Sequence, residues 1–149
     1  MKSKEDLPIV QLILGDKGKG KTKYLLDEAN KSVQGAAGDI VYLDKNSKHM
    51  YELNNHIRLV DVSSYPICNA DQFIGFIAGI LSQNHDIEKM YFDNFLILSQ
   101  IDKSEDTVNT AISGLNKLSA LFNVDMIVGM SADKADISEE LQEQIAVVL

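Results

Sequence analysis

Short, almost continuously apolar runs alternate along the chain with longer segments in which apolar residues recur every three or four positions. Runs of the first kind predict strands that are buried on both faces, as in parallel sheets covered by helices. Five such runs are PIVQLIL (8–14), DIVYLD (39–44), IRLVDV (57–62), KMYFDNF (89–95) and DMIVGMS (125–131). The fourth strand is expected to end near Asp93.

Three segments between these runs have the spacing of amphipathic helices: 21–33, 70–83 and 105–122. Their apolar sides consist of Leu25, Leu26, Ala29 and Val33 in the first, Phe73, Ile77, Ile80 and Leu81 in the second, and Val108, Ile112, Leu115, Leu118 and Phe122 in the third. Gly35 can end the first helix. Asn69 followed by Gln72 resembles a capping box at the start of the second.

The C-terminal part of the chain predicts a short helix from about Asp136, followed by IAVVL (145–149), which is either an edge strand or the end of a helix. Strands that alternate with helices of this length form right-handed βαβ units. The pattern therefore predicts an α/β fold, a three-layer α/β/α sandwich around a mainly parallel five-stranded sheet. The length of 149 residues suits a single domain, 1–149.

Composition and charge restrict the partners. The chain has 14 Lys and Arg against 22 Asp and Glu, a net charge of −8, which argues against binding nucleic acid through a broad basic surface. Arg58 is the only arginine, whereas specific nucleic-acid recognition normally uses several. Cys68 is the only cysteine, which excludes an internal disulfide framework and a cysteine-rich zinc site. No apolar run approaches the roughly 20 residues of a membrane helix, and no secretory segment is recognisable, so we expect a cytoplasmic protein without membrane contact.

The most specific pattern is LILGDKGKGKTKY (12–24), which contains three glycines and four lysines. Gly15, Gly20, Lys21 and Thr22 match the phosphate-binding motif G-x-x-x-x-G-K-[ST], between a predicted strand and a predicted helix as the motif requires. Glycines permit positive φ, so that successive backbone N–H groups can point at phosphate oxygens. The N-terminus of the following helix adds unpaired N–H groups and a favourable dipole. The stretch therefore predicts that the protein binds a nucleoside triphosphate.

Individual roles follow from the chemistry of the motif. Lys21 can reach the β- and γ-phosphates, and Thr22 offers a hydroxyl group to Mg²⁺. The predicted nucleotide-binding residues are Gly15, Asp16, Lys17, Gly18, Lys19, Gly20, Lys21, Thr22 and Lys23. For Lys17, Lys19 and Lys23, a solvated basic rim is the alternative interpretation.

A phosphate loop also needs a carboxylate from a second strand near the magnesium ion. Asp93, at the end of an apolar strand, matches this Walker B pattern, and Asp44, after IVYL, is the alternative. We therefore expect Thr22 and Asp93 to be the metal ligands. Lys21 and Asp93 are the expected catalytic residues.

GDKGKGKT, IVYLDKN and MYFDNFLIL together resemble the motifs of a P-loop NTPase of the additional-strand division, in particular a RecA-like ATPase core. The resemblance implies a parallel sheet in the order 5-1-4-3-2 with the loop strand central. It also implies Mg-ATP as the ligand and a polar sensor at the end of DMIVGMS, for which Ser131 is the candidate. Thymidine kinase has a similar layout, but its zinc-binding cysteines are absent here. No N-K-x-D guanine-recognition motif is present, which favours ATP over GTP.

The resemblance supports nucleotide binding better than hydrolysis. RecA-like enzymes carry a water-polarising glutamate shortly after the second strand, and other additional-strand ATPases carry it directly after the Walker B aspartate. The corresponding residues here are Asn46 and Asn94, which cannot accept a proton, although Glu52 could substitute if its loop folds back. We expect a small ATPase or ATP-dependent switch with weak intrinsic hydrolysis. The alternatives are a nucleotide-sensing subunit without turnover, acting through a protein partner or in a homo-oligomer, and a small-molecule kinase.

The remaining polar and aromatic side chains give weaker patterns. His49, His56 and His85 lack the spacing of a metal site. Cys68 is expected to be a small buried residue. Core packing and stacking on a nucleobase are both open for Tyr42, Tyr51, Tyr65, Tyr91 and Phe92.

Overall fold

The computed structural model describes residues 8–16, 18–101 and 105–149. Within them the strands are β1 (Val10–Leu14), β2 (Asp39–Asp44), β3 (Ile57–Asp61), β4 (Ile87–Asp93), β5 (Asp125–Met130) and β6 (Ile145–Val148). The α-helices are α1 (Lys21–Ser32), α2 (Ala70–Gln83), α3 (Phe95–Leu98) and α4 (Glu105–Phe122). In this part of the chain no helix is long and apolar enough to cross a membrane.

The six strands form one sheet in which every neighbouring pair is parallel, in the order β3-β2-β4-β5-β1-β6. The prediction of an α/β fold with a parallel sheet is confirmed, but the sheet has a sixth strand and the predicted order 5-1-4-3-2 is wrong. That order placed β4 beside β1 and β3 between β4 and β2. Instead β5 separates β1 from β4, β3 lies at the edge beyond β2, and β6 takes the other side of β1.

The order of the strands could not follow from the apolar pattern, because a run of buried residues does not specify its neighbours. The prediction took the order from the resemblance and counted 57–62 as an inner strand. The passage from β2 to β3 contains only a short 3₁₀ segment, Met50–Glu52, and β3 pairs along the outer side of β2. The segment IAVVL forms the edge strand β6, which was one of the two alternatives left open by the sequence.

Helices cover both faces of the sheet because successive strand residues point to opposite sides. Leu12 and Leu14 belong to a core formed with α2, α3 and α4. Ile13, between them, belongs to a second core formed with α1. The predicted apolar sides of the three long helices all contribute to these two cores.

The chain leaves β4 at Asp93, where the strand was expected to end, and turns into α3. The side-chain oxygen of Asn94 accepts the N–H of Leu96 at 3.2 Å, and the hydroxyl of Ser99 donates to the carbonyl of Phe95 at 2.6 Å. A short apolar run such as FLIL does not distinguish strand from helix by its periodicity. The turn leaves Asn94 beside Asp93 at the carboxyl end of β4.

Three other local predictions need correction. The helix expected from Asp136 is replaced by 3₁₀ segments at Lys134–Asp136 and Glu139–Gln144. Asn69 does cap α2, accepting the N–H of Gln72 at 2.9 Å, but the side chain of Gln72 accepts the N–H of Cys68 at 2.7 Å. Cys68 is exposed, not buried as expected, because it lies in the loop ahead of the helix.

A close approach between α1 and the sheet helps to fix where the helix begins. A Cβ atom on Gly129 of β5 would lie 2.8 Å from Cδ1 of Leu25 and 3.3 Å from the carbonyl oxygen of Phe92. A side chain larger than hydrogen at this position would require the side chain of Leu25 to shift. The glycine therefore allows α1 to pack closely on β5, with Lys21, its first residue, next to the carboxyl ends of the central strands.

Candidate functional site

The segments that follow β1, β2, β4 and β5 converge on one cleft at the carboxyl ends of the strands, with a volume of about 450 Å³. In open parallel sheets this is where ligands usually bind, and a volume of roughly 300–1,000 Å³ is typical of small-molecule sites. The cleft is lined by Gly18, Gly20, Lys21, Thr22, Asp44, Lys45, Asn46, Lys48, His49, Asp93, Asn94, Ile97 and Ser131.

The loop between β1 and α1 uses glycine where its backbone requires it. Gly18 and Gly20 have φ angles of 87° and 89°, in the left-handed region that other residues adopt only with strain. Gly20 is the N-cap of α1, it offers no side chain to the first N–H groups, and the first turn contains no acidic residue. The N-terminus of α1 therefore keeps its positive dipole end at the cleft.

Lys21 is buried, with only 7% of its surface exposed. Its ammonium group donates to the carbonyl of Gly15 at 2.7 Å and to that of Asp16 at 2.9 Å. The side chain thus folds back across the loop and lines the cleft. An ammonium group at this position can form charge-assisted hydrogen bonds with an anion bound in the cleft.

Thr22 and Asp93, the two predicted metal ligands, lie in contact with each other. The hydroxyl of Thr22 donates to one carboxylate oxygen of Asp93 at 3.3 Å, and the phenol of Tyr42 donates to the other at 2.9 Å. Burial, followed by the negative charge of Asp93, raises the pKa of Tyr42, so the phenol stays a donor at any physiological pH. Sequence reasoning treated Tyr42 only as a core or stacking residue and missed its contact with Asp93.

Asp44 is the second carboxylate of the cleft. It is paired with Asp93 in the register of β2 and β4, and only 3% of it is exposed. One of its oxygens accepts the N–H of Lys45 at 2.7 Å, while Oδ2 has no hydrogen-bond partner among the residues that the structure describes. Burial raises the pKa of Asp44 from 3.8 to about 6; the charge of Asp93 adds to this, and the Lys45 N–H opposes it.

These oxygens fit a divalent cation that prefers oxygen ligands. Asp93 and Asp44 supply carboxylates, Thr22 supplies a hydroxyl, and Oδ2 of Asp44 is buried and lacks a partner among the described residues. The same described part of the chain contains no group of three or more His, Cys, Asp or Glu side chains arranged to hold a metal. Mg²⁺ commonly binds through one or two carboxylates and completes its coordination with water and phosphate oxygens.

The two asparagines at the expected positions of a water-polarising acid both line the cleft. The amide of Asn94 donates to the hydroxyl of Ser131 at 2.8 Å, and its oxygen caps α3. The side-chain oxygen of Asn46 accepts the N–H of Lys48 at 3.0 Å. Glu52 is exposed, contacts Nδ1 of His49 and does not line the cleft. Asp44, which the sequence suggested only as an alternative metal ligand, is closer to the cleft than Glu52.

Some predicted residues lie outside the cleft. Asp16, Lys19 and Lys23 are exposed and do not line it, so their role in nucleotide binding stays a prediction. Lys17 lies outside the described residues. Arg58 lies on β3 in a separate hollow with Asp39 and Ile40, at the amino ends of the strands.

None of the five aromatic residues that could stack on a base lines the cleft. Tyr42, Tyr91 and Phe92 are buried in the two cores, and Tyr51 is 91% exposed. Ile97, half exposed at 50%, and His49 provide the apolar and flat surfaces there instead. The sequence contained no pattern that singled out Ile97, because its exposure depends on the unexpected helix α3.

No family model matches the chain, and no curated protein matches it in sequence. The class that the fold and the cleft define is thus a parallel α/β protein with a polar cleft at the carboxyl ends of its strands.

Proposed function

We propose that the protein binds a magnesium nucleoside triphosphate, ATP in preference to GTP, through the loop Gly15–Thr22. The observation that carries the proposal is the position of Lys21, buried across a glycine loop at the start of α1 and in the same cleft as the contact between Thr22 and Asp93. Left-handed glycines, a helix N-terminus and a lysine together form an anion site. The hydroxyl–carboxylate pair beside it suits a metal that accompanies the phosphates.

The charge of the cleft supports an anionic ligand. The protein as a whole carries −8, so a triphosphate needs a local concentration of positive charge in order to bind. Lys21 and the N-terminus of α1 supply it on one wall, and Lys45 and Lys48 on the other. Burial of Lys21 strengthens its interaction with an anion relative to the same charge in water.

Thr22 and Asp93 would hold Mg²⁺, with Asp44 as the further carboxylate in reach. When bound, Mg²⁺ neutralises negative charge on the phosphate oxygens. Tyr42 would orient Asp93, since its hydrogen bond at 2.9 Å leaves the carboxylate little rotational freedom.

The family that we propose on these grounds is the P-loop NTPases, in their additional-strand division. The motif in Gly15–Thr22 supports it, as does the position of β5 between the loop strand β1 and the strand β4 that ends in Asp93. The RecA-like strand order is not part of the proposal. The activity would be that of a small ATPase or ATP-dependent switch with weak intrinsic hydrolysis.

A nucleotide-sensing subunit without turnover is the second candidate. It is favoured by Asn94, which occupies an expected position of the water-polarising glutamate but cannot take a proton from water. Its amide group donates to Ser131, and its oxygen accepts the N–H of Leu96. A small-molecule kinase has less support, because such enzymes usually close arginines over the phosphates and Arg58 lies at the other end of the strands.

Calorimetry with Mg-ATP tests the proposed site. Lys21→Ala should weaken binding by at least about tenfold, because a charge-assisted contact with phosphate is typically worth more than about 1.4 kcal/mol. Lys31→Ala is the matched control: it removes the same charge from the exposed far end of α1 and should bind like the wild type. At ten times its dissociation constant, ATP should raise the unfolding free energy by about 1.4 kcal/mol, whereas adenosine should not.

Equal affinities of the wild type and Lys21→Ala for Mg-ATP would show that the site has been wrongly assigned. A loss of binding in Lys31→Ala equal to that in Lys21→Ala would attribute the effect to overall charge. The same titrations without Mg²⁺ report whether the metal takes part. Binding that is independent of Mg²⁺ would remove the metal from the proposal and leave the phosphate loop.

A further inference from the structure

The segment Lys45–His49 forms the wall of the cleft that faces the phosphate loop. Four of its five residues line the cleft: Lys45, Asn46, Lys48 and His49. Across the sheet the carboxyl ends of β5, β4 and β2 follow one another away from β1, and the segment continues directly from β2. The cleft thus has the loop and Lys21 on one side, Asp93 and Ser131 in the middle, and this segment on the far side.

Local hydrogen bonds hold the segment in place. The N–H of Lys45 donates to Asp44 at 2.7 Å, and the N–H of Lys48 donates to the side chain of Asn46 at 3.0 Å. Nδ1 of His49 contacts the carboxylate of Glu52, which anchors the end of the segment. A backbone fixed in this way presents its lysines to the cleft at a limited cost in conformational entropy.

The charges of the segment lack carboxylate partners. Among the described residues, neither Lys45 nor Lys48 has a carboxylate oxygen within 4.0 Å of its ammonium group. Lys45 and His49 lie close enough to Asp44 for positive charge on them to lower the pKa of its carboxyl. Positive charge beside a buried carboxylate offsets its repulsion of a further anion.

We propose that Lys45 and Lys48 bind the terminal phosphate of the nucleotide, and that they make the site selective for a triphosphate over a diphosphate. The inference rests on the proposed function and adds to it the recognition of the third phosphate. The glycine loop of such sites cradles the α- and β-phosphates. The phosphates lie in a row, so the third projects away from the loop, towards the wall that carries these two lysines.

Calorimetry with Mg-ATP and Mg-ADP, on the wild type and on the double variant Lys45→Gln with Lys48→Gln, tests this inference. The wild type should bind ATP at least about tenfold more tightly than ADP, the effect of one charge-assisted contact. The double variant should lose affinity for ATP by about that factor and keep its affinity for ADP. Lys31→Gln with Lys117→Gln is the control, since it removes the same charge from exposed positions on α1 and α4.

Inorganic triphosphate and pyrophosphate, titrated in the same way, should show the same selectivity, because the lysines would recognise chain length and not the nucleoside. An equal loss of ATP and ADP affinity in the double variant overturns the inference, since it would place the lysines on the inner phosphates. Unchanged ATP affinity overturns it as well. Failure of the wild type to bind either nucleotide would refute the proposed function itself, so the two failures are distinguishable. The lysines are exposed, and matching thermal melts would confirm that all variants fold.

Discussion

Asp44 and Asp93 end neighbouring strands in the same register and put two carboxylates at the floor of one cleft. Their surroundings differ: Asp93 accepts from Thr22 and Tyr42, whereas Oδ2 of Asp44 has no partner in the described residues. Burial is the main cause of the raised pKa of Asp44, about 6. In the absence of a ligand, its ionised form therefore opposes folding near neutral pH.

Asp44→Asn should consequently stabilise the ligand-free protein at pH 8. A carboxyl whose pKa rises on folding contributes stability that is complete below its unfolded value, 3.8, and is lost as the pH rises through about 6. Allowing for solvent screening, we expect a gain on the order of 1–2 kcal/mol at pH 8 and a much smaller one at pH 4. Urea denaturation at both values measures it. Asp27→Asn, an exposed position on α1, serves as control, and an equal gain there or a gain that does not depend on pH would contradict the assignment.

The candidate site was only partly predictable at the level of residues. Gly15, Lys21 and Thr22 belong to a local motif, which can be identified from one stretch of sequence. The contact of Thr22 with Asp93 joins two residues 71 positions apart, and no local pattern specifies such a contact. The contact of Tyr42 with Asp93 could not be predicted from the sequence. Tyr42 lies two residues before Asp44 on β2, and the alternation of side chains along a strand does not show whether a tyrosine hydroxyl reaches a carboxylate.

At the level of elements, the start of α1 depends on backbone conformation more than on contacts. Gly18 and Gly20 both have positive φ, and a Cβ atom at either would meet nothing within 4 Å. Their requirement for glycine is therefore conformational. Gly79, on the exposed side of α2, also has open space around it, but it lies in ordinary helical conformation.

Gly20→Ala and Gly79→Ala should accordingly change stability in opposite directions. The left-handed conformation at Gly20 should cost alanine about 1–2 kcal/mol of unfolding free energy. Alanine at Gly79 should add about 0.5–1 kcal/mol, because a helical glycine loses more backbone entropy on folding. Chemical denaturation of both variants gives the two values. If both variants changed the unfolding free energy in the same direction, the space around each glycine, and not its φ angle, would determine the effect of alanine.

The existence of most elements followed from periodicity, whereas their ends and short insertions did not. The five predicted strands and three long helices all occur, since their cores need the apolar residues in those positions. The short helix α3 and the 3₁₀ segment Lys134–Asp136 have local side-chain hydrogen bonds, such as that of Asn94 with the N–H of Leu96 and that of Asp136 with the N–H of Asp133. The pattern of apolar and polar residues does not predict those hydrogen bonds.

At the scale of the whole molecule, the sheet order decides which side chains share the cleft. The order in the structure places β5 and β4 between the loop strand and β2, and so Ser131 and Asp93 lie between Lys21 and Asp44. Strand order depends on long-range packing of helices against the sheet, and single-sequence periodicity is insensitive to it. The same topology puts Arg58 on an outer strand, in a hollow that contains none of the residues lining the cleft.

Topology and charge together lead us to expect slow hydrolysis by the isolated protein. Neither Asn46 nor Asn94 can accept a proton, and a positioned general base typically accelerates a reaction by about 10²–10⁴-fold. Arg58 cannot reach the phosphates from its hollow. Asp44 is the remaining acid in the described lining of the cleft besides Asp93. In the proposed role as a metal ligand, Asp44 would not be free to take a proton from water.

Phosphate release by the pure protein should therefore remain below about 1 s⁻¹, the lower end of common enzyme rates. Asn46→Glu and Asn94→Glu each introduce an acid at the cleft, and a gain in one of them would identify the strand end that faces the terminal phosphate. Asn55→Glu adds the same charge at the opposite end of the strands and should change nothing. Asn94 is buried, so its variant needs a thermal melt beside the assay; Asn46 is not, and its variant tests the idea even if the other fails to fold. Wild-type turnover of 1 s⁻¹ or faster would refute the expectation, and Asp44→Asn would then show whether Asp44 supplies the missing base.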